Sequence, residues 1–211
     1  MKEERVFFKA GAITLEGLFS RGEAKWGAVV THPHPQMGGS MANNVVNALV
    51  EAFQGRLFST LRFNFRGVGL SEGAFDNGVG EQSDVRAALA FLSSEGVDQI
   101  VLAGYSFGAW VNSKITGRGD IYSRGVVVSP PIGFFSFSPG DIAAEGDLVI
   151  CGDRDQFCPV DRLRTSIEGT GARLEIVPGA DHFYWGYEGN LRRLVSEYLN
   201  SVAAGDETWG E

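Results

Sequence analysis

The chain has 211 residues, 44% hydrophobic and 21% charged, which suits one sizeable core and excludes a chain disordered throughout. A net charge of −8, with no block of Lys and Arg, argues against nucleic acid and anionic membrane as partners. No apolar run has membrane-spanning length, MKEERVFFKAG lacks the pattern of a signal peptide, and Cys151 and Cys158 make no disulfide framework. The expectation is a cytoplasmic protein, one domain over residues 1–211, with both thiols free.

In chain order, RVFFKAG and AITLEGLFSRG read as two strands joined at Gly11, and the apolar WGAVVTHP as a buried third. MANNVVNALVEAFQGR carries Val45, Val46, Leu49, Val50 and Phe53 at helical spacing and stops at Gly55. LFSTLRFNF is a strand, GEQSDVRAALAFLSSEG a helix and QIVLAGY a strand, after which a helix runs from Ser106 to about Ile115. GVVVSPP is a strand ended by Pro130 and Pro131, DLVICG another, and VDRLRTSIEG a helix opened by Pro159 and Val160. ARLEIVP is the last strand, and GNLRRLVSEYLNSVAA a closing helix with Leu191, Leu194, Val195 and Leu199 as its apolar stripe.

A hairpin followed by alternating strands and helices predicts an α/β fold, with a mostly parallel central sheet and helices on both faces. Ligands of such sheets bind at the carboxyl ends of the strands. His32, Arg66, Ser106, Asp153, Asp155 and His182 all follow predicted strands.

Ser106 stands in G-x-S-x-G, between a buried strand and a helix, where a tight turn pushes the side chain out. A serine hydroxyl needs a base within hydrogen-bond reach, and the base needs an orienting acid. His182, in PGADHFYWG, is the candidate base, and CGDRDQFCP supplies the acid in the chain order Ser, Asp, His. Asp155 reaches further from the strand tip than Asp153 and is favoured, with Asp153 the alternative. A developing oxyanion would be met by the backbone N–H of Phe107 at its helix start. The second donor would come from THPHPQMGG: Pro33 and Pro35 have no N–H, which leaves His34, with Gln36 or Met37 as substitutes.

The pair His32 and His34 has no adjacent third ligand, so no metal is expected, and no cofactor motif appears. Arg66, in the glycine-rich NFRGVGLSEG, lacks the phosphate-loop pattern and is expected to tie its loop to Glu72, Asp76, Glu81 or Asp84, the alternative being that it faces the cleft and orients an anionic substrate.

These segments together resemble the α/β-hydrolase superfamily, and within it the small cap-less, dienelactone-hydrolase-like group. The likeness is carried by THPHPQMGGSMANNVV, STLRFNFRGVGLSEGAFDNGVGEQSDV, LAGYSFGAWV, CGDRDQFCPV and PGADHFYWG. It implies an α/β-hydrolase fold, Ser106 as nucleophile, Asp155 as acid (a G-x-x-D stretch before a proline), His182 as base and Phe107 as oxyanion donor. Dienelactone hydrolases proper use a cysteine, so lactone chemistry is not carried across. PPIGFFSFSPG is too short for the lid that larger relatives insert, so no cap domain is expected.

The resemblance implies a serine hydrolase of small carboxylic esters working through an acyl-enzyme, with a small-molecule ester as its partner. A small amidase, acyl-peptidase or thioesterase of the same mechanism, or a non-catalytic binding protein of this fold, is the alternative. The expected pocket residues are His32, Met37, Trp110, Phe134, Phe135, Phe137, Phe183 and Tyr184, with His32 also a candidate brace at its strand end and His34 alongside. An exposed aromatic rim would equally suit a homodimer contact.

Overall fold

The computed structural model describes residues 1–23, 25–138 and 140–205. The domain expectation also covered residues 206–211, which lie outside the described residues. Eight strands form one sheet in the order β1-β2-β4-β3-β5-β6-β7-β8. These are β1 (Glu4–Ala10), β2 (Ile13–Ser20), β3 (Trp26–Thr31), β4 (Ser59–Phe63), β5 (Gln99–Tyr105), β6 (Arg124–Val128), β7 (Leu148–Gly152) and β8 (Arg173–Val177). The β1–β2 hairpin and its junction with β4 are antiparallel, and every other pairing is parallel.

Among the described residues, five α-helices cover the two faces: α1 (Asn44–Gln54), α2 (Gly80–Ser94), α3 (Phe107–Asn112), α4 (Val160–Ile167) and α5 (Glu188–Gly205). Side chains alternate along the strands, so Ala28 and Val30 pack under α1 and α5 while Val29 faces the side of α2 and α3. Val127, Val149 and Cys151 face α4 through Leu163 and Ile167. Burial on both sides is why β3 has no exposed position.

The elements fall where sequence periodicity put them, with shifts at their ends. Helix α1 begins at Asn44 instead of Met41, because Asn43 caps it, accepting from the N–H groups of Val45 and Val46. Gly55 ends the helix but keeps a right-handed backbone, and the chain reverses two residues on, at Leu57 (φ 61°). No helix or strand lies between β6 and β7 among the described residues, the place where a cap would be inserted.

Candidate active site

Ser106 sits on the bend between β5 and α3, with φ 55° and ψ −119°. Non-glycine residues rarely adopt such a backbone, and it is held here by packing on both sides. A Cβ on Gly104 would lie 2.8 Å from the Ala109 nitrogen, and one on Gly108 would lie 2.8 Å from the His32 carbonyl oxygen. Both glycines of the motif therefore let helix, strand and the β3 end close on one another, and the serine between them is aimed outward. The Ser106 N–H donates to the Val128 carbonyl at 3.0 Å, which ties the bend to β6.

His182 Nε2 lies 2.9 Å from Ser106 Oγ. Its Nδ1 lies 2.8 Å and 3.0 Å from the two carboxyl oxygens of Asp155. Burial by itself would raise the Asp155 pKa, but the hydrogen bond and charge of His182, with the Ser129 hydroxyl and the Phe157 N–H, hold it below the ordinary carboxylate value. Asp155 Oδ1 also accepts from the N–H groups of Phe157 and Cys158, at 2.8 Å and 3.0 Å. An ionised carboxylate only accepts, so Nδ1 carries the ring proton and Nε2 is left to accept from the serine hydroxyl.

Asp153 does different work. Its Oδ1 accepts the Gly179 N–H at 2.7 Å, fastening the tip of β7 to the loop that carries His182. That loop is also held by the Tyr105 hydroxyl, which donates to the His182 carbonyl at 2.7 Å. Tyr184 is fully buried at φ 55°, its hydroxyl 2.8 Å from that of Ser129. Burial raises the Tyr184 pKa well above its usual value, so the phenol stays protonated and can donate.

The loop after β3 forms the opposite wall. Its N–H groups are largely used internally: Gln36 donates to the His34 ring, Met37 and Gly39 to the His34 carbonyl, and Gly38 to the Pro35 carbonyl. Prolines at 33 and 35 have none to give. The His34 N–H is the one in this turn with no such bond among the described residues. Phe107, the first residue of α3, likewise has an N–H with no carbonyl one turn back.

An open cleft of about 450 Å³ lies over Ser106 and His182. Of the expected pocket residues, Met37, Phe134, Phe135 and Phe183 line it, as does His34. Four others are elsewhere. His32 is fully buried behind the loop; its Nδ1 meets the Pro33 carbonyl at 2.6 Å and its Nε2 accepts the Phe65 N–H at 3.0 Å, so it braces the strand end. Trp110 stacks on Phe135 at 4.4 Å and donates its indole N–H to Ser136, away from the cleft. Phe137 is turned toward Lys114, and Tyr184 toward Ser129.

Pro131, Tyr105 and Phe157, which sequence reasoning did not single out as pocket residues, line the cleft instead. Phe157 packs on His182 at 4.6 Å and on Phe134 at 5.0 Å between ring centres. Its position two residues beyond Asp155 was the available signal. Arg66 ties its loop to Asp84 alone of the four acids considered, through its backbone N–H and a two-pronged guanidinium contact.

No family model matches the chain. It is 31% identical over 213 aligned residues to an uncharacterized protein of Rickettsia prowazekii (strain Madrid E), covering 94% of this chain and 89% of that one. An α/β serine hydrolase homologue from Coxiella burnetii superposes with a TM-score of 0.84 at 31% identity, over 94% of this chain and 98% of the other. A lid-less α/β serine hydrolase from Xanthomonas campestris superposes with a TM-score of 0.87 at 29% identity, over 96% and 95%. The chain belongs to the α/β-hydrolase superfamily, among its small members without a cap.

Proposed function

We propose that the protein is a serine hydrolase of small carboxylic esters, with Ser106 as nucleophile, His182 as base and Asp155 as acid. One observation carries the reading: an unbroken run of hydrogen bonds from the Ser106 hydroxyl through both nitrogens of His182 to a buried carboxylate. In the first step His182 Nε2 takes the hydroxyl proton as Oγ attacks the ester carbonyl. The tetrahedral oxyanion is met by the N–H groups of Phe107 and His34. The C–O bond to the alcohol then breaks, and the imidazolium returns its proton to the leaving oxygen, leaving an acyl-serine. Water, deprotonated by the same imidazole, adds to the acyl carbon; collapse releases the acid and restores Ser106. Asp155 keeps the proton on Nδ1 and stabilises the cation formed in each half.

The lack of a helix or strand between β6 and β7 among the described residues, and the modest volume of the cleft, support short and soluble substrates. The test is labelling by an alkyl fluorophosphonate together with turnover of matched ester, thioester and amide substrates. Wild type should label at Ser106 and favour the ester; Ser106→Ala should lose both, with turnover down by about 10³-fold or more. A faster amide or thioester would move the assignment within the same mechanism. No labelling and no Ser106-dependent turnover would make the fold a binding scaffold.

A further inference from the structure

Among the described residues, the walls of the cleft contain no lysine or arginine. They are built from Met37, Phe134, Phe135, Phe157, Phe183 and two prolines, closed below by Ser106 and His182. We propose that the site takes esters uncharged at both ends, with an aromatic or bulky alkyl group, and rejects esters bearing a carboxylate or phosphate. The proposal rests on the hydrolase reading above.

The charges around the cleft argue for this rejection as strongly as the walls do. Arg66, which shares the field of Glu81 with His34, is committed to Asp84. Arg154, on the loop that carries Asp155, is exposed and contributes no atom to the lining. Of the two histidines in the lining, His182 is engaged between Ser106 and Asp155, and burial lowers the pKa of His34, which keeps that ring neutral at pH 7. Negative charge is close by: Asp155 stands behind His182, and Glu81 is near enough to act on His34. A substrate carboxylate entering here would exchange water for aromatic faces with no cation to meet it.

Phe157 gives the apolar wall its shape. Its ring bridges His182 and Phe134, and also meets Phe183 edge-on at 6.4 Å. Its carbonyl accepts the Gly133 N–H at 3.0 Å, which joins the loop of the acid to the loop bearing Phe134. A ring entering beside His182 would meet these aromatic edges and faces in the offset geometries such groups favour. The volume of about 450 Å³ leaves room for one ring and the ester, within the ordinary range of small-molecule sites.

The test compares p-nitrophenyl phenylacetate with its para-carboxy counterpart, which differ in charge and little in size. Wild type should favour the neutral ester by roughly 100-fold in kcat/KM. A preference of less than about tenfold would overturn the proposal. Phe134→Arg places a cation at a rim position that is 70% exposed and should fold normally. It should narrow the preference by about tenfold, by raising the rate on the carboxylate ester; an unchanged ratio counts against the proposal. If neither ester turns over, the rates at which Ser106 is modified by phenylalkyl and carboxyalkyl fluorophosphonates make the same comparison, and equal rates overturn it. Turnover that survives in Ser106→Ala would instead bring down the hydrolase reading and leave the charge preference to be judged by binding of phenylacetamide against its para-carboxy counterpart, where equal affinities overturn it.

Discussion

Two buried histidines stand at the carboxyl edge of this sheet, one after β3 and one after β8, and they are built for opposite ends. His32 is enclosed by backbone: one ring nitrogen faces a carbonyl, the other an amide N–H. Burial with no carboxylate nearby pushes its pKa down to about 4, so it stays a neutral strut. His182 is nearly as buried, but one nitrogen faces an ionised carboxylate and the other a hydroxyl. On the proposed mechanism this ring picks up a proton in mid-reaction and needs that carboxylate, since burial alone would deny it the charge. The partners, more than the burial, decide which histidine can work.

The comparison breaks most directly at His182. His182→Gln should lower kcat by about 10³-fold or more while thermal unfolding stays within a few degrees of wild type. A large loss of stability with little loss of turnover would make His182 the strut. Next comes its carboxylate. Asp155→Asn should cost about 10²- to 10⁴-fold in kcat, because the amide leaves the imidazolium without its counter-charge and favours the wrong tautomer. Asp153→Asn should cost less than about tenfold, since the amide oxygen can still accept the Gly179 N–H. Parallel kinetics of the two variants decide between the acids, and equal effects would reverse the assignment.

The smallest effect belongs to His32. His32→Gln should lose about 1–3 kcal/mol of stability through disturbed backbone bonds, with kcat per folded molecule within a few-fold of wild type. In the unfolded chain this imidazole takes its proton near pH 6.5, but in the folded chain only near pH 4. The unfolded state therefore holds the extra proton between those values. Stability should fall by about 3 kcal/mol as pH drops from 6.5 to 4. Urea midpoints across that range should show a shallower slope in His32→Gln, and identical slopes would contradict the locked neutral ring.

How far the letters reached can be judged from neighbouring residues. The strands and helices were legible because two-sided burial writes long apolar runs such as GAVV, and helices write their spacing. Ser106 was legible because few backbones need glycine two residues either side of a serine. The walls of the cleft were not, because they come from loops, where periodicity is silent. Phe183, Tyr184 and Trp185 are consecutive, yet the left-handed backbone at Tyr184 buries that ring and leaves Phe183 and Trp185 exposed. Phe157 escaped notice for the same reason: DQFCP sets it beside the acid but does not say that the ring turns back over the histidine. The choice between Asp153 and Asp155 likewise depended on two residues of reach, which only a folded turn can resolve.

The bend at Ser106 carries a cost of its own. Its dihedral angles are ones that glycine would adopt without steric conflict, and a serine there forgoes about 1–3 kcal/mol. Selection for heat resistance alone would favour glycine at this site. On the proposed function, the hydroxyl there gives up robustness of the fold for reactivity.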